Sequence, residues 1–508
     1  MATISQNQSI LSVGVNQSTR TITIGSVRGT IYDRNLVPLV NNTVRYCGVL
    51  YPESSLIQKI REDMTDAEYR RLLESLDSGN LLVANLSKAS YLSKGLRTFE
   101  IPVRYSEKVS CAHLLGYLDN SSSRGITGIE KAYDAVLNDA GGSISVTYSV
   151  NGVGRCLSDE PLKINSTLSR SKAGVMLTID AKWQRLLDDV AGQYLQKGAV
   201  TVLDANTGEL LACASLPDYH PNQLQESIEQ NDGALVNRLC AQFDCGSVFK
   251  LITAAAGLEN GIHETKTYHC DGQLTIGNNV FHCHQRLGHQ SLNMEQALAQ
   301  SCNLYFIQLA QEIGAEALLN TAGQLGLMDS IEIAPNLTVP ATYLPTKDTI
   351  TPAALANLSI GQGELLISPL HVAQMTATIA NGGVRYPIRA VIGTTNKEGS
   401  ITAEEKGRGV PCIEPEIAEK LRQMMECVVT DGTGKRAQPE ADFTAAGKTG
   451  TAETGQYNEN RPVIQSWFTG YFPADNPQYV ITILAEDAEN LGGDALGLFK
   501  ELSTNIYK

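Results

Sequence analysis

The stretch Phe243–Gly261, FDCGSVFKLITAAAGLENG, constrains the fold most, because it sets a lysine into an otherwise apolar helical pattern. Residues three apart on a helix share a face, so Ser247 and Lys250 point the same way on a face whose other members demand burial. A buried ammonium is costly, whereas a neutral amine is tolerated, and burial beside other cations lowers a lysine's pKa. A serine hydroxyl is a poor nucleophile until a neighbouring base takes its proton. A neutral Lys250 one turn from Ser247 is such a base. Gly246 leaves room for close backbone approach, and a helix N-terminus favours developing negative charge. Alone, the S-x-x-K tetrapeptide is common and reads better as a chance pattern on a surface helix.

Two further stretches change that balance. LAQSCNLYF carries Ser301-Cys302-Asn303, and AAGKTGTAETG carries Lys448-Thr449-Gly450-Thr451. S-x-x-K, S-x-N and K-T-G in this order are the signature of penicillin-interacting serine acyltransferases. Each element has a task in that chemistry. Ser301 passes protons between Lys250 and a leaving amine, and Asn303 holds a substrate amide. Lys448 and Thr449 offer a cation and a hydroxyl to a substrate carboxylate. Gly450 lets substrate lie close to the strand, and the N–H groups of Thr451 and Ser247 form an oxyanion hole.

A chain of 508 residues divides into two or three domains, and 42% hydrophobic with 19% charged residues supplies a large core. A net charge of -14 argues against binding nucleic acid through its phosphates. The opening residues hold no apolar run of about 18, so no membrane span or intact signal peptide is expected there: either the chain is soluble or an anchor has been cut off. The first third alternates apolar and polar residues around Asn and Pro, as in SVRGTIYDRNLVPLVNNTVRYCGVLYP, a strand pattern. TDAEYRRLLESLDSG and RGITGIEKAYDAVLNDAGG read as helices ended by glycine. KINSTLSRSKAG reads as the junction to the next domain. Beyond it, LTIDAKWQRLLDDVAGQYLQKG is a helix behind an Asp180 cap, and GAVTVLDANTGELLACAS is a hairpin. VIQSWFTGYFPADNPQYVITILAE is a second hairpin, and ALGLFKELSTNIYK a closing helix. Strands at both ends of this region, with helices between, predict an α+β domain: one antiparallel sheet with helices on its faces.

With these pieces the chain resembles a class B penicillin-binding protein over nearly its full length. RGTIYDRN and RGITGIEKAYDAVL look like that family's N-terminal pedestal motifs. LTIDAKWQ, AVTVLDANTGELLACAS and LSIGQGELLISPLHVAQMTATIANGG look like its transpeptidase domain. The resemblance implies a linker over 1–25 after a missing anchor and a β-rich pedestal or dimerisation-like domain over 26–165. It further implies a transpeptidase domain over 170–508 with five strands and helices on both faces. It implies a peptidoglycan D,D-transpeptidase whose Ser247 attacks the D-Ala-D-Ala bond of a stem peptide and passes the acyl group to an amine of a neighbouring strand. β-Lactams would trap the serine, a glycosyltransferase would be a partner, and the work would be done outside the bacterial cell membrane. Catalysis needs no cofactor. One departure is Cys245, where the family usually has proline before Gly-Ser; a structural filler is the favoured reading over a redox role.

Eleven scattered cysteines are not the dense framework of a disulfide miniprotein. Cys270, Cys283, His289 and Cys302 nevertheless cluster at spacings of 13, 6 and 13, which resembles elongation- and sporulation-type members that bind zinc in this region. A Cys3His set suits structural, tetrahedral Zn²⁺. A Cys270–Cys283 disulfide and free thiols are the rival readings. His269, His282 and His284 are expected to be loop residues. A β-lactamase shares the three motifs, but the long N-terminal region argues against it. A β-lactam sensor or a scaffold with little turnover is the remaining alternative, and a degenerate motif set would have favoured it.

Overall fold

The computed structural model describes residues 18–506 except 90, 92, 120, 168–170, 405–406 and 459. Most of the segment read as a linker, and part of the Ser/Asn/Thr-rich junction, lie outside the described residues. The strand pattern of the first third forms two three-stranded sheets. One runs Thr19–Val27, Gly142–Ser149, Lys163–Ser166, the other Leu82–Leu86, Thr43–Leu50, Leu96–Val103. The stretch read as linker therefore enters a sheet from Thr19. Cys47, Val49, Leu50, Ile101 and Val146 fill the core between them. Thr65 and Glu68 make a reciprocal capping box at the start of Asp66–Ser75, and Gly79 closes the following turn with φ 66°. RGITGIEKAYDAVL forms two short helices, Gly128–Ala132 and Asp134–Asp139, where the periodicity predicts one.

The two stretches that resemble pedestal motifs meet each other. Arg28 pairs with Asp134 at 2.9 Å and with fully buried Glu130 at 3.4 Å, and Arg104 reaches Glu130 at 2.6 Å. Thr30–Tyr32 then lies parallel to Gly174–Leu177, which pairs with Val391–Thr395. Segments far apart along the chain thus share one sheet. Asp33 extends the seam, accepting the N–H of Val37 at 2.7 Å and that of Ala181 at 3.1 Å.

Ala181 opens helix α1 (Ala181–Tyr194), where Asp180 accepts the N–H of Lys182 at 2.8 Å as the cap pattern predicts. The central sheet comprises β1 (Gly198–Asp204), β2 (Leu210–Leu216), β3 (Ala446–Asn458), β4 (Arg461–Phe472) and β5 (Tyr479–Ala485). Its spatial order is β2-β1-β5-β4-β3, antiparallel throughout. The five-stranded α+β architecture expected from the resemblance is the one observed. Alternate residues feed two cores: Val480 and Leu484 one, Ile481 and Ile483 the other. The first side packs on α2 (Lys250–Glu259), α3 (Asn303–Gln324), the wholly buried α4 (Pro369–Ala380) and α5 (Pro415–Thr430). The second side packs on α1 and α6 (Ala495–Ile506). Since β3 is an edge strand, one side of the K-T-G segment is left without a strand neighbour, and the turn Gly246–Phe249 that precedes α2 takes that place.

Candidate active site

A single 3-10 turn, Gly246–Phe249, leads into α2, so Ser247 sits on a tighter coil than an α-helix and Lys250 begins the helix proper. Two glycines, Gly246 and Gly450, let this turn press against β3, and a third, Gly361, packs on the turn itself. Gly246 has φ 54°, and a Cβ there would stand 2.1 Å from the Thr451 carbonyl oxygen. A Cβ on Gly361, φ 75°, would stand 1.9 Å from the carbonyl oxygen of Gly246, whose N–H bonds to Gly361 O at 3.0 Å. A Cβ on Gly450 would meet Cys245 O at 2.7 Å and Val248 Cγ2 at 2.7 Å. Gly450 therefore serves the contact between strand and turn, and it also lines the cavity in front of them.

Behind Ser247 the Lys250 side chain is fully buried. Its Nζ lies 2.7 Å from Ser301 O, 2.7 Å from Asn303 Oδ1 and 3.2 Å from Ser301 Oγ. The direct bond from Lys250 to Ser247 expected from the motif is not among these. Two of the three partners only accept, so a neutral amine spends its two hydrogens on them and keeps a lone pair. Burial draws the Lys250 pKa down to about 7, opposed by the nearby thiols of Cys302 and Cys283. Ser301 itself holds φ 53°, a left-handed conformation rare for serine, at the break between Met294–Ala299 and α3. That break turns both its carbonyl and its hydroxyl toward the amine.

Lys448 approaches from the other side. Its Nζ is fully buried, 3.1 Å from Ser301 Oγ and 2.9 Å from Thr449 O. Burial first, and the Lys250 charge second, push its pKa well below the ordinary lysine value. One hydroxyl thus stands between two amines. The group of the K-T-G segment facing outward is Thr449, whose Oγ1 lies 2.8 Å from that of Thr433. Ser247, Ser301, Asn303, Thr449, Gly450 and Thr451 line one cavity of about 720 Å³; both lysines lie behind its wall. All eight candidate catalytic residues therefore converge, although the motifs span about 200 positions of sequence. Sequence reading missed Asn357, Gln362, Thr433, Arg436 and Glu453 on the same walls. Thr433 stands in DGTGK, a glycine-rich turn that gave a signal for shape but none for chemistry. Cys245 is buried, and its thiol is pushed up to about 12 by desolvation, which fits a filler.

The cysteine cluster assembles beside this wall. Cys270 ends the strand Tyr268–Cys270, Cys283 follows Asn279–His282, His289 precedes Gln290–Leu292, and Cys302 caps α3. Their ligand atoms all lie within 4.8 Å of one another. Cys283 Sγ is 3.9 Å from Cys302 Sγ and 3.5 Å from His289 Nδ1, and Cys270 Sγ is 3.6 Å from His289 Nδ1. Tetrahedral zinc, with bonds of about 2.3 Å to sulfur and about 2.0 Å to nitrogen, needs edges of about 3.8 and 3.5 Å, so the set fits. None of the described cysteines is in a disulfide, the Cys270–Cys283 pairing included. His284 stacks edge-on against His289 at 5.1 Å and also lines the cavity.

A model of the penicillin-binding protein transpeptidase domain matches residues 198–506. Penicillin-binding protein PbpB of Mycolicibacterium smegmatis is 31% identical over 77% of this chain and 62% of its own length. The peptidoglycan D,D-transpeptidase PbpA of the same organism is 29% identical over 84% of this chain and 86% of its own. Among solved structures, the D,D-transpeptidase domain of a peptidoglycan glycosyltransferase from Eggerthella lenta is 25% identical. It superposes with a TM-score of 0.67, covering 95% of this chain and 99% of that one. The chain belongs to the penicillin-binding protein transpeptidase family. The relatives it matches place it among the class B penicillin-binding proteins.

The glycine contact yields a prediction. Gly246→Ala should keep the fold, read by circular dichroism, and lose at least tenfold in the rate of acylation by penicillin, because the turn must retreat from Thr451. A wild-type rate would show that the close approach is dispensable.

Proposed function

We propose that this protein is a serine D,D-transpeptidase that cross-links peptidoglycan stem peptides through an acyl-enzyme, and that β-lactams acylate the same serine. The observation that carries the reading is a buried amine, held by Ser301 and Asn303, at the back of a cavity that Ser247 enters. In this reading the lone pair of Lys250 takes the Ser247 proton as Oγ attacks the carbonyl of the D-Ala-D-Ala bond. The N–H groups of Ser247 and Thr451 receive the oxyanion. Ser301, between both amines, relays the proton to the departing D-alanine amine. The acceptor amine then loses its proton along the same path as it displaces Ser247. Thr449, with Thr433 behind it, binds the terminal carboxylate, and Lys448 supports it through the Thr449 carbonyl and Ser301. Asn303 orients the peptide amide with its side-chain nitrogen, which here donates to His282 O at 3.2 Å.

Cys270, Cys283, His289 and Cys302 would hold a structural Zn²⁺, which when bound cross-links the loop to α3. Because Cys302 stands between Ser301 and Asn303, these four side chains brace the S-x-N element from behind. We also take 26–165 as the pedestal and 170–508 as the catalytic domain, working outside the cell membrane beside a glycosyltransferase that polymerises the strands. Among the described residues no helix is long and apolar enough to cross a membrane.

A fluorescent penicillin should label the wild-type chain and leave Ser247→Ala blank; equal labelling would remove Ser247 from its role. The base must be uncharged, so the acylation rate should climb as pH rises through about 7, the value to which burial lowers Lys250, and then level off. A rate flat from pH 6 to 8 would place the proton elsewhere. Elemental analysis of purified protein should find about one zinc per chain, falling in Cys283→Ser. A clean zero ends the metal assignment.

A further inference from the structure

Thr449, Thr451 and Glu453 alternate along β3 and all three line the cavity. The first two have tasks in the reaction proposed above. The third, Glu453, is exposed; its backbone pairs with Ile464 in the ladder, while its carboxylate has no hydrogen-bond or ion-pair partner among the described residues. The other ionisable side chains on these walls are otherwise engaged. Arg436 is tied to Asp494 at 2.5 Å, and His284 stacks on His289. Glu453 is thus an uncommitted carboxylate held on a strand that continues past the reacting centre.

The register along that strand says what meets it. With the terminal carboxylate of the donor at Thr449 and the scissile carbonyl at Thr451, the peptide runs along β3 toward Glu453. Strand geometry puts Glu453 about 6.8 Å beyond Thr451. This is the reach of the side chain on the residue that precedes D-Ala-D-Ala. The chemistry of cross-linking dictates the character of that side chain. The acyl group ends on an amine of a neighbouring peptide of the same polymer, so every donor peptide carries such an amine itself. At neutral pH an aliphatic amine is an ammonium, the natural complement of a free carboxylate.

We propose that Glu453 is a specificity-determining residue, reading a primary ammonium on the donor residue that precedes D-Ala-D-Ala. The proposal rests on the transpeptidase reading and on the substrate direction given there. Because the pair is exposed to solvent, the discrimination is modest, about two- to fivefold.

The test uses the full chain and two donor peptides that differ only in whether this side-chain amine is free or N-acetylated. The readout is D-alanine release, as kcat/KM, without an added acceptor. Wild type should favour the free amine two- to fivefold. Glu453→Gln should bring the ratio to about one, Glu453→Asp should retain part of it, and Glu453→Lys should invert it. Penicillin labelling of each variant verifies that the site is folded. An undiminished preference in Glu453→Gln overturns the proposal, as does a wild type indifferent to acetylation. A chain that penicillin does not label at Ser247 fails instead at the underlying reading. One that is labelled but releases no D-alanine from either peptide refutes both.

Discussion

Two amines, Lys250 and Lys448, are buried on either side of one serine hydroxyl, and the catalytic half of the molecule is arranged around that placement. Among the described residues neither lysine has a carboxylate partner; carbonyl and hydroxyl oxygens hold both, and an amide oxygen adds to the shell of Lys250. Such oxygens satisfy amine hydrogens without holding a proton in place, so burial is free to lower both pKa values. A carboxylate at the same position would restore the ammonium and remove the base. The neutral lining is therefore as necessary to the chemistry as the amines themselves.

Supplying those oxygens requires backbone to go where it ordinarily does not. Ser301 adopts a left-handed conformation between two helices so that its carbonyl and its hydroxyl face one amine. Cys302, next in the chain, points the opposite way into the Cys3His set. The Cys302 thiol donates to Cys283, which draws the Cys283 pKa down and pushes that of Cys302 up. A short polar tripeptide thus links a cation-ready cluster behind the wall to the reactive groups in front of it. On the facing side, Gly246 and Gly450 bring the turn carrying Ser247 within contact distance of β3.

The N-terminal domain is joined to this apparatus by more than a tether. Arg28, Arg104, Glu130 and Asp134 form a buried charge network, and the segment that follows Arg28 adds a strand beside Gly174–Leu177. In a buried network of this kind each charge relies on the others for solvation, which makes the arrangement exacting in geometry. Arg28 meets Glu130 and Asp134 from about 100 residues away in sequence, and Arg104 joins them from a third segment.

Much of this was legible beforehand, and for local reasons. The helix from Ala181, its Asp180 cap, the hairpins of the central sheet and the closing helix all depend on neighbours a few residues apart, where periodicity and capping chemistry act. The eight catalytic candidates and the four metal-ligand candidates were legible because their spacing and residue types recur as motifs. What stayed hidden was long-range. Nothing near Glu453 or Thr433 in sequence marks them as cavity walls, and RGITGIEKAYDAVL gives no local sign that it breaks into two helices. Lys250 turns to Ser301 and Asn303, not to Ser247, because those acceptors arrive from a segment about 50 residues later. The chain alone determined which groups are present and which local elements carry them. Only the tertiary structure decided which groups face each other, because pKa, proton path and specificity are set by distances of 3–4 Å between residues that the chain keeps far apart.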